Sequence, residues 1–141
     1  MTLVVDASVA LKWFVLEDDS DVAERLLESA APLHAPTLLL AEITNGLWKN
    51  QKRNLIDTEQ AQRALSVLPQ SINVWRLTER YLADALEIAI ELDHPIYDMI
   101  YLALARESGG QVVTADKRFL RRVASTPYAA FVVALSDWRP A

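Results

Sequence analysis

VVDASVALKW, residues 4–13, passes from strand to helix within a single residue and puts a carboxylate at the junction. Leu3, Val4 and Val5 form an apolar run without polar alternation, the pattern of a strand covered on both faces in a parallel sheet. From Ala7 onward Val9, Ala10, Trp13 and Phe14 recur at helical spacing. Asp6 therefore follows a central strand directly, and open parallel sheets build their sites beyond such strand ends.

The theme returns near the other end of the chain. Gln111 to Thr114 is a second short strand that delivers Asp116, and a basic helix over Lys117 to Val123 follows. Between these two units Ser20 can cap a helix carrying Val22, Ala23, Leu26, Leu27 and Ala30, which Pro32 stops. Leu33 to Ala35 reads as extended, and Pro36 and Thr37 lead into a helix through Trp48. Asp57 and Gln60 form a capping-box pattern for a further helix that Pro69 closes. "INVW" alternates like a strand. Thr78 to Leu92 and Ile96 to Arg106 read as two helices, ended by Gly109-Gly110, and "FVVAL" supplies a last strand. Strands alternating with helices through crossover-length connections predict an α/β fold with a parallel sheet.

With 141 residues the chain is one domain, 1–141, with one sizeable core. Apolar residues make up 52% and charged ones 23%, with only three glycines, a folded rather than a disordered composition. The absence of cysteine excludes disulfides, thiolate zinc sites and a cysteine nucleophile, so any metal must take oxygen or histidine ligands. The N-terminus has no basic flank with a long apolar core, and no window approaches the roughly 18 apolar residues of a membrane span. A soluble, cytoplasmic protein without a membrane role is expected. The net charge of −5 argues against non-specific adhesion to nucleic acid, yet "WKNQKR" (48–53) and "KRFLRR" (117–122) are local basic patches beside the candidate site segments.

Two more carboxylates stand out. Glu42 has Leu38, Leu39, Ile43 and Leu47 at i−4, i−3, i+1 and i+5, with Asn45 at i+3. A carboxylate beside a buried stripe requires a partner or a metal. Asp98 lies in "HPIYDMIYLALAR", where the first half of the helix is otherwise almost wholly apolar. Four carboxylates gathered without partners would repel one another. A hard divalent cation such as Mg²⁺ or Mn²⁺ removes that repulsion and suits phosphate ester hydrolysis. His34 and His94 have no metal-ligand spacing and are not needed for such a site. Asp93 falls in the preceding loop, outside it. Trp13, Trp48 and Trp75 lie in apolar patterns suited to packing.

"VVDAS", "LLLAEITNGLWK", "IYDMIYLALA" and "VVTADKRF", in that order and spacing, resemble the acidic motifs of PIN-domain ribonucleases, and among these the VapC toxins of toxin-antitoxin pairs. The resemblance spans nearly the whole chain. It implies a three-layer α/β/α domain with a central, mostly parallel five-stranded sheet, and a metal-dependent endoribonuclease that holds Mg²⁺ or Mn²⁺ on Asp6, Glu42, Asp98 and Asp116. Ser8 and Thr114 fall where the family supports its acids by hydrogen bonding, and Asn45 matches the polar residue commonly found after the family's motif Glu, so the resemblance puts all three around the acids. The implied partners are an RNA substrate, a VapB-type antitoxin, and a second copy of the toxin in a homodimer or toxin-antitoxin hetero-oligomer.

Two rivals remain. An aspartyl-phosphate phosphatase would want an acid where Ser8 stands, and a receiver domain would want a lysine after the last strand, where "FVVALSD" has none. A non-catalytic RNA- or protein-binding module of the same fold would not need the intact acidic set.

Overall fold

A computed structural model describes residues 1–140. Its spine is a sheet of five short strands, β1 (Leu3–Val5), β2 (Leu33–Pro36), β3 (Val74–Arg76), β4 (Gln111–Thr114) and β5 (Val132–Ala134), in the order β3-β2-β1-β4-β5. Every pairing is parallel, with Val4 opposite His34 on one side and Val112 on the other. Val4, Val5, Val112 and Val113 are fully buried, which is why these strands show no polar alternation.

Among the described residues seven α-helices connect the strands: α1 (Ala7–Ala10), α2 (Ser20–Glu28), α3 (Leu38–Lys52), α4 (Thr58–Ser71), α5 (Leu82–Leu92), α6 (Ile96–Ser108) and α7 (Lys117–Val123). The chain steps outward from β1 to β3, then returns past β1 to β4 and β5. Right-handed crossovers therefore put α1–α4 on one face of the sheet and α5–α7 on the other. The packing agrees: α3 lies against α1 and α4, and α6 lies against α5 and strands β1, β2 and β4. The reversal of strand order falls between β1 and β4, the position where open α/β sheets form a crevice. Asp6 and Asp116 stand at its two lips.

Several boundaries differ from the sequence reading, three of them for a visible reason. Pro69 does not close α4 but lies inside it, two residues before its end. The lost N–H falls in the last turn, and the Trp75 indole donates to the Pro69 carbonyl at 2.9 Å, satisfying one of the end carbonyls. Ser20 is the first residue of α2 and not its cap, because its hydroxyl accepts the Glu17 N–H and bonds back to the Val15 carbonyl, leaving left-handed Asp19 at the cap. The segment from Thr78 starts as a 3-10 turn, Thr78–Tyr81, before α5, since the Thr78 hydroxyl is held by the Leu38 N–H across the sheet edge. The Asp57–Gln60 capping box forms as expected.

Gly110 explains how closely β4 approaches the N-terminus. A Cβ there would stand 2.1 Å from the Thr2 carbonyl oxygen, so no larger residue fits without moving backbone. No described helix is long and apolar enough to cross a membrane.

Candidate active site

Asp6 caps α1: its Oδ1 accepts the Ala7 N–H at 2.9 Å. Its Oδ2 accepts two hydroxyls, Ser8 at 2.7 Å and Thr114 at 2.6 Å. Each hydroxyl has a single proton, and with both directed to Asp6 their lone pairs are free to accept. They take the N–H groups of Ala115, at 2.9 Å to Ser8, and Asp116, at 3.0 Å to Thr114. The end of β1 is thereby stitched to the end of β4, with Ser8 and Thr114 both bonded to the Asp6 carboxylate. Asp6 is 4% exposed, and burial, augmented by the charges of Asp98 and Glu42, raises its pKa to about 7 against the pull of the two hydroxyls.

Glu42 sits in the second turn of α3, half-buried. Burial first, and then Asp98, push its pKa up, while the Tyr101 hydroxyl, donating to Oε1 at 2.5 Å, draws it down. Tyr101 is fully buried on α6, and its own pKa is pushed well above the ordinary phenol value by burial and by the charges of Asp6 and Glu42. It thus remains a neutral donor among carboxylates. Asp98, in the first turn of α6, is raised by burial and by Asp116 and lowered by its 2.7 Å hydrogen bond with His94 Nε2 and by Arg118. An ionised carboxylate only accepts, so Nε2 carries the proton in that pair. Asp116 caps α7, with Oδ1 accepting the Arg118 N–H at 2.9 Å and the Phe119 N–H at 3.4 Å.

The four acids expected from the sequence thus come from both faces of the sheet to one end of it, and their fields reach one another. Among the described residues no lysine or arginine lies in ion-pair contact with any of them, and the one basic side chain that touches them is His94, on Asp98. Neither do any three His, Asp or Glu side chains already close into a metal cage among the described residues. Buried and half-buried, mutually repelling oxygen donors without a lysine or arginine in ion-pair contact fit a hard divalent ion that keeps most of its waters and binds one or two carboxylates directly.

Asn45 does not join the acids: it is exposed, and the donor to Glu42 is Tyr101. The sequence reading also set His94 aside, whereas the structure puts it against Asp98. Its signal was its spacing, four residues before Asp98 across a helix start. Tyr101 had a signal too, because a tyrosine inside an aliphatic helix must find a partner for its hydroxyl. Asp93 lies in the α5–α6 turn in a left-handed conformation, outside the acids, as expected. Trp13 packs against the core, while Trp48 is 55% exposed beneath Lys52.

A family model described as the PIN domain matches residues 3–125. The sequence is 33% identical over 124 residues to Ribonuclease VapC3 of Pyrobaculum aerophilum, covering 86% of this chain and 95% of that protein. It is also 33% identical over 119 residues to Exonuclease VapC9 of the same organism, covering 84% of each. Among solved structures, the fold is similar to a chain of a toxin-antitoxin complex from Klebsiella pneumoniae, with a TM-score of 0.67 and 19% identity, over 94% of this chain and 97% of that one.

Proposed function

This chain belongs to the PIN-domain family as a VapC-type ribonuclease, and on that premise we propose that it is a metal-dependent endoribonuclease, the toxin of a type II toxin-antitoxin pair. The observation that carries the metal dependence is the cluster itself. Asp6, Glu42 and Asp98 are all raised in pKa by burial and linked by mutual repulsion, an arrangement that a divalent cation would relieve.

Asp6 and Asp98 would hold the principal Mg²⁺ or Mn²⁺, with Glu42 and Asp116 completing its surroundings or orienting water. Such an ion, when bound, supplies an acidified water and neutralises charge at the phosphate. The chain's own residues do the rest. Ser8 and Thr114 lock Asp6 through its Oδ2. Tyr101 holds the Glu42 carboxylate and His94 the Asp98 carboxylate, so neither acid must reorganise when the ion or substrate arrives.

An antitoxin is the proposed inhibitor, and a second copy a proposed partner. Two surfaces support these: an apolar groove between α3 and α4 lined by Leu47, Trp48 and Leu65, and the exposed stripe Leu82, Leu86 and Ile90 along α5.

Total cellular RNA incubated with the purified protein in Mg²⁺ or Mn²⁺ should show discrete internal cuts that EDTA and Asp98→Asn both abolish. Progressive shortening from one end would favour the exonuclease activity in the name of the second Pyrobaculum relative. No cutting by folded, antitoxin-free protein would favour a non-catalytic binding module.

A further inference from the structure

A cavity of about 360 Å³ opens beside the acids, lined by Asp93, His94 and Pro95 of the α5–α6 turn and by Arg118, Arg121 and Arg122 of α7. The three arginines stand at i, i+3 and i+4 and so share one face of α7, while Phe119 and Val123 turn into the core. All three are exposed, and among the described residues none lies within ion-pair distance of a carboxylate, Asp93 on the facing wall included. Three unpaired like charges converging on one cavity, in a chain with an excess of acids, repel each other unless an anion joins them.

The cavity is joined to the acids through two of its lining residues. His94 lines it and is bonded to Asp98, and the Arg118 N–H is bonded to Asp116. Arg122 is anchored by its Nε–H to the Leu92 carbonyl, which ties that side of the cavity to the turn. Arg118 and Arg121 are exposed and, among the described residues, their guanidinium groups make no ion pair.

We propose that this arginine-lined cavity is a phosphate subsite that grips the RNA backbone next to the bond being cut. The inference rests on the ribonuclease reading above and deepens it. Guanidinium forks match phosphate geometry in two-point contacts. A polyanion approaching four carboxylates is repelled, and a cationic wall immediately beside them offsets that repulsion for the neighbouring phosphate. Among the described residues no tryptophan, tyrosine or phenylalanine lines the cavity, and the one ring there, His94, is bonded to Asp98, so the guanidinium groups favour backbone over base.

The test is binding, kept apart from cutting. A short fluorescein-labelled single-stranded RNA of mixed sequence is titrated in EDTA with the intact protein, with Asp98→Asn and with the double variant Arg118→Gln/Arg121→Gln, across about 50–200 mM salt. Two lost phosphate contacts should weaken binding and flatten the slope of log K against log[salt] by about 1.4, whereas Asp98→Asn keeps the slope. Should the double variant melt early, Arg121→Gln alone, at an exposed position, should flatten it by about 0.7. An unchanged slope in a folded variant overturns the subsite. So does retained RNA binding accompanied by loss of binding to a polyglutamate peptide, which would make the cavity a docking site for an acidic protein segment. A flattened slope in a protein that never cuts RNA in Mg²⁺ would uphold the subsite and sink the nuclease reading alone.

Discussion

In the metal-free protein, ionising Asp6 should cost stability that Asp6→Asn recovers. The carboxyl has a pKa of about 7 in the fold against an ordinary value of 3.8. Between those values the native state keeps a proton that the unfolded chain has released, so stability is full below about pH 4 and is lost as pH rises through about 7. The gap corresponds to about 4 kcal/mol at roughly 1.4 kcal/mol per pH unit, for a group with almost no solvent contact to screen it. Glu42 and Asp98, also raised, act in the same direction. Asparagine keeps an oxygen for the Ala7 N–H but presents an amide where Ser8 and Thr114 donate, so part of the recovery is lost to rearranged hydroxyls. The assay is urea unfolding in EDTA from pH 5 to 8, for wild type and Asp6→Asn, repeated with Mg²⁺. Wild-type stability should fall across that range by more than that of the variant, and Mg²⁺ should restore the wild type most at the alkaline end, where the acids are ionised. Equal pH slopes for the two proteins in EDTA would falsify the burial argument. Equal Mg²⁺ stabilisation of both would remove Asp6 from the metal site.

Tyr101→Phe removes the donor to Glu42 without changing shape, and activity and Mn²⁺ affinity, read by calorimetry, should each fall about 10- to 100-fold while the fold persists. Unchanged affinity would mean that the hydroxyl serves packing alone. His94→Ala should lower Mn²⁺ affinity within the same range of about 10- to 100-fold by freeing Asp98, and a variant as active as wild type would show that the pair is incidental. Gly110→Ala should destabilise by about 3 kcal/mol or more, because the new Cβ meets the Thr2 carbonyl; thermal unfolding within a degree of wild type would contradict that close approach.

Much of the architecture was legible because periodicity is a local property. The uninterrupted valines of β1 and β4 announce strands buried on both faces, and the Asp57–Gln60 box announces the start of α4. Boundaries were less legible where a distant group decides them, as when the Trp75 indole completes the Pro69 turn or when Leu38 claims the Thr78 hydroxyl. The four acids could be named from their positions after strands or inside apolar helices. Asn45 could not be judged in that way, since same-face spacing does not say whether a side chain meets the site or solvent, and Asn45 is exposed.

By itself the sequence determined the class of fold and the family, and it singled out four acids as candidates for a metal-suited site, since each of these readings depends on residue type and on spacing within one element. Tertiary structure alone revealed Tyr101 on Glu42 and His94 on Asp98, and it gave the expected Ser8 and Thr114 contacts to Asp6 their geometry. Thr114 reaches Asp6 across 108 residues, Tyr101 reaches Glu42 across 59, and α7 turns three arginines toward the His94 loop. The physical reason is the strand order: β4 enters the sheet beside β1 after the chain reverses, and only that placement brings helix starts from both faces to one end of the same crevice.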